Sequence, residues 1–456
     1  MNKKKRKIKK KNLAIFLLAI SIIFLVILFN QSGKNFNNGF SFDEASEDYK
    51  CPDCNVILIT VDALRPDHLG CYGYERNTSP NIDRFAKEEG YLFTQAISQA
   101  TWIWPSVHSL MTSMYPSTNK VYFFDEFLST PEIALPYILK KNGYTTAFMS
   151  ENQGLGALED SLDGNFNTLK ICNGTEVLTN YSLIWIKNNK NKKFFIWLHY
   201  MGTHESFLGF PEDKRSGEEL NQEEVDYYTL KYDNAISEVD NQFFILIKTL
   251  KELNLYNNTI IIISADHGEE MGEHSWYFNH GGPLWDSLIK VPLIFYYPKL
   301  SYKSKLIPSQ VQLIDIAPTI CDILKIKKPE TFEGNSFLSL IIEKETHFLY
   351  AFSEHWQTIG EFFSSNEVLH SQFSIRSTDW KLIVTIRNNE SGYQLYNLKK
   401  DPQELNNLAD IEKDQFKLMK EKIEEWMSRE KENISSLTKP LDEETKEKLR
   451  SLGYLQ

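Results

Sequence analysis

The longest apolar stretch of the chain, residues 13–29, is interrupted only by Ser21. At about 1.5 Å per residue it reaches roughly 25 Å, enough for a membrane helix once flanking lysines reach out to the headgroups. All other apolar runs are shorter and rich in β-branched or aromatic residues: 55–61 (NVILITV), 144–150, 194–200, 259–264 (TIIIIS) and 291–297. Runs of this length without polar alternation predict strands buried on both faces. Between them lie helical stretches at 131–141 and 223–254. A further helix runs from Pro80 to Glu89, with Ser79 at its cap, Pro80 at the first helical position and Gly90 as its stop. Strands alternating with helices predict an α/β fold, a mostly parallel sheet between helix layers.

Charge sets the direction of the chain. Residues 3–11 are basic except for Ile8 and contain no acid. A basic flank stays on the cytoplasmic side, so residues 1–12 predict a cytoplasmic tail, 13–29 a single transmembrane anchor, and everything beyond an exported, extracellular part. The polar residues Asn30, Gln31 and Ser32 follow the apolar run where a cleaved signal peptide would carry small residues, which favours an uncleaved anchor. Residues 30–50, rich in Asn, Gly, Ser and acids, read as a linker.

The whole chain carries a formal charge of −11 despite its basic tail. The exported part is therefore more acidic still, which argues against nucleic acid as a partner and gives weight to any local cation site. Five cysteines are too few for a disulfide scaffold. Cys51 and Cys54 are spaced to pair outside the cell, and Cys71, Cys172 and Cys321 are scattered. Sequons at Asn77, Asn173, Asn180 and Asn257 suit an exported protein.

Candidate chemistry gathers at strand ends. Asp266 and His267 follow the 259–264 run and Asp62 follows the 55–61 run. In open α/β sheets ligands bind outside the carboxyl ends of the strands, so these three side chains can converge on one ion.

Several motifs stand in a telling order: VDALRPDHLGCYGY (61–74), TWIWPSVHSLMTSMYPS (101–117), WLHYMGTHESF (197–207), SADHGEEMGEHS (264–275) and NHGGPLWDSLIKVPLI (279–294). QLIDIAPTICD (312–322), YQLYNLKKDPQELNNLA (393–409) and the ending LRSLGYL (449–455) complete the series. Together they resemble the sulfatase family of the alkaline phosphatase superfamily. The resemblance implies an alkaline phosphatase-like catalytic domain over 51–345 and a smaller α+β subdomain over 346–456.

It also implies in-line attack of a metal-assisted nucleophile on a sulfate or phosphate ester. Asp62, Asp266 and His267 match metal-ligand positions, His204 matches a substrate-contacting histidine, and His280 matches a position held by Lys or His that contacts the transferred group. Ala63 stands where many members have a second Asp, His267 where many have Asn, and Gly202-Thr203 where Asp-Pro is usual. An imidazole beside few carboxylates suits manganese or zinc better than calcium, and phosphodiester cleavage better than sulfate ester cleavage, although the identity of the one divalent ion stays open among Ca, Mn and Zn.

The nucleophile motif departs most from the family. The register set by Pro105-Ser106 puts Ile103 at the nucleophile position and Val107 at the usual arginine. An aliphatic side chain offers no nucleophilic atom, and formylglycine is not expected. Ser106, at the start of the following helix, Thr101, two residues upstream, and water are the replacements. Two functions follow. One is an anchored, exported metal-dependent hydrolase of sulfate or phosphate esters on a glycan, lipid or small molecule. The other is a catalytically degenerate protein of the same fold with a glycan-binding or surface-structural role.

Overall fold

In the computed structural model the described residues are 49–432, apart from 163, 211–219, 301–304, 343–348, 359–367 and 389. The predicted membrane anchor, most of the linker and the LRSLGYL ending lie outside them. Among the described residues no helix is long and apolar enough to cross a membrane.

An eight-stranded sheet organises the chain. Its strands are β1 (Asn55–Val61), β2 (Tyr91–Ile97), β3 (Thr145–Ser150), β4 (Thr168–Ile171), β5 (Phe194–Tyr200), β6 (Thr259–Ser264), β9 (Lys290–Tyr296) and β10 (Lys305–Gln312). The order is β10-β2-β9-β6-β1-β5-β3-β4. The runs at 55–61, 194–200 and 259–264 are strands with the predicted bounds. Every residue of these three central strands is buried, so helices cover both faces, as their unbroken apolar sequences require. Helices Pro80–Glu88 and Thr175–Asn189 both pack on the long helix Gln222–Glu252, while Leu135–Lys141 and Ile316–Ile323 pack on Ile103–Thr112.

The sheet is mostly parallel, as predicted, with one exception: β9 runs antiparallel to both β2 and β6. The stretch 131–141 is not one helix. A 3-10 turn over Pro131–Ile133 ends at Ala134, whose backbone is extended, and the helix restarts at Leu135 with Pro136 in its first turn. Proline lacks an N–H and is tolerated in that first turn, so the break falls just before it.

A short hairpin, β7 (Glu270–Met271) with β8 (Tyr277–Asn279), stands on the segment between β6 and β9. Beyond the main sheet comes a four-stranded antiparallel sheet, β11 (Ala351–Thr358), β12 (Val368–Arg376), β13 (Trp380–Arg387) and β14 (Glu390–Asn397). One of its faces packs Phe373, Ile375, Leu382, Val384 and Leu395 against Met419, Ile423 and Trp426 of helix Lys413–Glu432. Its edge strand β11 reaches the main domain directly, because Glu354 N–H donates to the carbonyl of Gln99 and the Ser353 hydroxyl to that of Ser98. Cys51 and Cys54 form a disulfide.

Candidate metal centre

Strands β1 and β6 are parallel neighbours in register from Asn55 with Thr259 to Thr60 with Ser264. Their carboxyl ends therefore deliver Asp62 and Asp266 side by side, both fully buried. The Asp62 N–H donates to the carbonyl of Tyr200 at 2.8 Å, which ties it to the end of β5.

Each ligand-bearing side chain is held through one atom and leaves another unsatisfied. Asp62 Oδ2 accepts from His199 Nε2 at 3.2 Å, and His199 Nδ1 lies 2.7 Å from the Thr60 hydroxyl. For His199 to donate through Nε2 as a neutral ring, the Thr60 hydroxyl donates to Nδ1. Asp266 Oδ1 accepts from the backbone N–H of Ala63 at 3.3 Å and of His267 at 3.0 Å. His267 Nδ1 donates to the carbonyl of Gly268 at 2.8 Å, which leaves Nε2 with its lone pair.

The remaining atoms, Asp62 Oδ1, Asp266 Oδ2 and His267 Nε2, are buried and have no hydrogen-bond partner among the described residues. His267 Nε2 is 3.6 Å from each of these carboxylate oxygens, and one ligand atom from each of the three residues lies within 4.8 Å of the others. Three buried lone-pair atoms aimed at one another are costly unless a cation sits among them. The residues fit a divalent ion. Two carboxylate oxygens and one imidazole nitrogen form a borderline donor set suited to manganese or zinc.

Electrostatics separates the two acids. Burial acts to raise the Asp62 pKa, but His204, the hydrogen bond from His199, and His267 together hold it well below the usual carboxylate range. Burial and then the Asp62 charge push Asp266 the other way.

Imidazoles line up beside this cluster. The His280 ring lies 4.6 Å from that of His267 at a 32° tilt, and its Nδ1 is 3.3 Å from Glu269 Oε2. His204 meets His280 edge to face, with ring centroids 4.9 Å apart. Its Nδ1 accepts from Ser206 N–H at 3.2 Å, which leaves Nε2 as the nitrogen that carries a proton when Nδ1 accepts. The structure thus brings Asp62, Asp266, His267, His280 and His204 together.

Ser106 and Thr101 are placed differently. The Ser106 hydroxyl donates to the Asp266 carbonyl at 2.6 Å and lies 3.0 Å from Ser98 Oγ. The Thr101 hydroxyl donates to the Gly282 carbonyl at 3.1 Å, with His355 Nδ1 at 3.4 Å, and the Thr101 carbonyl accepts from Gly281 N–H at 2.9 Å. Both hydroxyls brace the turns that carry ligand and histidine. Ile103 begins the helix Ile103–Thr112, is buried, and sits three residues before Ser106, hence on the same helix face.

Sequence reasoning missed His199, Ser98 and Glu269. His199 had a signal, being the one imidazole in an otherwise apolar and aromatic strand. Ser98 had none, since its contact with the Asp266 carbonyl at 2.5 Å joins residues far apart in the chain.

Comparison with known proteins identifies the family and the fold. The sulfatase family model matches residues 54–326, and one described as N-sulphoglucosamine sulphohydrolase, C-terminal, matches residues 272–433. An ulvan-active sulfatase of Formosa agariphila is 28% identical over 335 residues, 63% of this chain and 65% of that protein, so the chain spans slightly less than two thirds of that relative. An arylsulfatase of Clostridium perfringens is 25% identical over 450 residues, 78% of this chain and 90% of the relative. Among solved structures, a 2-O GAG sulfatase superposes with a TM-score of 0.70 at 20% identity, covering 86% of this chain and 96% of the other. The phosphonate monoester hydrolase of Agrobacterium radiobacter gives 0.69 at 18% identity, with 84% and 96% covered. At these identities the two structures share the fold. The family match over most of the main sheet, with the metal-ready cluster at its strand ends, makes this chain a member of the sulfatase family in the alkaline phosphatase superfamily.

Proposed function

We propose that the protein is a hydrolase of sulfate or phosphate esters, dependent on one divalent ion held by Asp62, Asp266 and His267. The observation that carries this reading is the convergence of three buried ligand atoms without hydrogen-bond partners. When bound, such an ion supplies charge neutralisation on the transferred group and acidifies the attacking hydroxyl or water.

The chain's own residues do the rest. His204, with its proton on Nε2, is suited to donate to the leaving oxygen. His280, paired with Glu269, presents an imidazole to the anionic oxygens. The hydroxyls of Ser106 and Thr101 already donate to main-chain carbonyls, so water is the better-placed nucleophile where Ile103 offers none. The sulfated-polysaccharide chemistry named for the Formosa agariphila relative supports a sulfated glycan as the substrate class. The phosphonate monoester hydrolase neighbour keeps phosphorus esters within the reading. Export and anchoring through residues 13–29 are part of the same proposal, supported by the basic flank and by the Cys51–Cys54 disulfide, which is at home in an oxidising compartment.

Metal content of the purified protein, measured together with turnover on sulfate monoesters of sugars, phosphate monoesters and phosphodiesters, tests it. A single bound ion with chelator-sensitive turnover on one ester class is the expected result. A metal-bearing protein inactive on every ester supports the second reading, a degenerate member that binds glycans, which the aliphatic Ile103 specifically favours.

A further inference from the structure

His204 stands four residues beyond β5, next to Thr203, whose hydroxyl donates to the Asp62 carbonyl. It opens the single helical turn Glu205–Leu208, in which the Leu208 N–H donates to the His204 carbonyl at 3.3 Å, while the His204 N–H reaches back to the Met201 carbonyl at 3.0 Å. At the end of that turn the Leu208 carbonyl accepts from Lys231 Nζ at 2.8 Å. Lys231 lies on the long helix Gln222–Glu252, with its ammonium 5.0 Å from the Tyr227 ring centroid and 5.6 Å from that of Tyr228. These faces attract the cation and fix its position.

Two residues further on, Phe210 packs 4.8 Å from Tyr228 and 5.1 Å from Phe278, and Tyr228 lies 5.6 Å from Phe278. Phe278 is fully buried, adopts φ 48°, and belongs to β8, two residues before His280. One cluster on the long helix therefore grips both the turn that begins with His204 and the hairpin that leads to His280. The two imidazoles come from distant stretches of chain and meet at 4.9 Å.

We infer that Lys231 is a positioning residue: by holding the Leu208 carbonyl against the helix Gln222–Glu252, it sets the distance and angle at which His204 meets His280. This rests on the reading of those two histidines as the groups that contact the transferred anion. Lys231 acts through the turn, by its bond to the Leu208 carbonyl. A clip of this kind should affect recognition of the anion and leave the metal cluster, which hangs from β1 and β6, unchanged.

The test compares Lys231→Met, which keeps the aliphatic stem and removes the donor, with Lys231→Arg, which keeps a charged donor over the same rings. In the full-length protein, Lys231→Met should speed hydrogen exchange of the His204 and Leu208 amides by about tenfold, the loss expected when a charged hydrogen bond is removed. Divalent-ion content should stay at the wild-type level. Affinity of the manganese-loaded protein for inorganic sulfate and phosphate should fall about five- to tenfold, and Lys231→Arg should restore both exchange protection and affinity. Unchanged exchange at those amides in Lys231→Met, or no recovery in Lys231→Arg, overturns the inference. A wild type that binds neither anion instead defeats the reading of the histidines, and the exchange data still decide the role of Lys231.

Discussion

Asp62 and Asp266 stand level with each other, each two residues beyond the register pair Thr60 and Ser264. Parallel pairing of β1 with β6 is therefore what makes a metal centre out of two acids separated by most of the domain. Replacement of Asp266 by Ala should abolish binding of the divalent ion and lower the melting temperature in metal-containing buffer, because a ligand that binds only the folded state stabilises it. In chelator the variant should lose that disadvantage, since the repulsion that pushes Asp266 upward is also removed. Metal analysis alongside thermal unfolding decides this, and full metal content in the variant would refute the ligand assignment.

Position 103 governs chemistry. Ile103→Thr places a hydroxyl on the first residue of the helix Ile103–Thr112, on the same face as Ser106, which touches the Asp266 carbonyl. Helix N-termini favour developing negative charge on such an oxygen. The variant should raise phosphodiester hydrolysis more than sulfate ester hydrolysis, and the increase should vanish in chelator. A gain on sulfate esters equal to or larger than that on phosphodiesters, or no gain on either, would contradict the assignment of Ile103 to the nucleophile position.

The two sheets are joined by a buried ionic network. Lys381, wholly inaccessible on β13, contacts Asp286 at 3.0 Å and Glu404 at 2.8 Å, and Arg376 on β12 donates to Asp286 at 2.8 Å. Burial drives the Glu404 pKa up to about 7 even with Lys381 beside it. Lys381→Met leaves two buried acids short of a cation and should destabilise the protein by about 3–5 kcal/mol, as is typical when one partner of a buried pair is removed. Denaturant unfolding of the two proteins reads this directly, and a loss below about 1 kcal/mol, the range of an exposed pair, would show the network to be dispensable.

His274 adds a pH dependence. Its Nδ1 pairs with Glu270 Oε2 at 3.1 Å while its ring stacks on Trp285 at 3.7 Å. Partial burial acts against the charged ring, but Glu270 and then Glu404 outweigh it and raise the pKa. A pKa raised on folding gives stability that is full below the unfolded value of about 6.5 and is lost as the pH rises through the folded value. The melting-temperature gap between wild type and His274→Asn should therefore be wider near pH 5.5 than near pH 9. A gap that stays constant or widens with pH would exclude a charged His274–Glu270 pair.

Much of this arrangement is legible in the chain, and the parts that are not have physical causes. Runs such as TIIIIS and FFIWLHY give strand bounds directly, because a strand buried on both faces is apolar along most of its length and stands out from its polar flanks. The direction of β9 is not readable in this way: KVPLIFY is equally apolar whichever way it runs. The strands β2 and β10 escape a periodicity reading because YLFTQAI and KLIPSQVQ mix polar and apolar positions. Asp62, Asp266 and His267 announce themselves by standing at strand ends. His199 acquires its meaning only through register, lying opposite Thr60 and donating to Asp62.

The antiparallel course of β9 has a consequence for how the chain can change. The segment after β6 leaves and re-enters the sheet at one end, with Ser264 paired to Leu293, and its neck is closed by the Gly268 N–H on the Leu288 carbonyl at 2.8 Å. The neck admits no side chain, since a Cβ on Gly268 would lie 2.0 Å from the Ser287 carbonyl oxygen. Asp266 and His267 stand before this neck, whereas Glu269 and His280 lie within the loop that it closes. Doubling the length of such a loop costs only about 0.6 kcal/mol in closure entropy. The loop can thus be lengthened at its tip, between the paired strands β7 and β8, at little entropic cost while the acids at the strand ends stay in register.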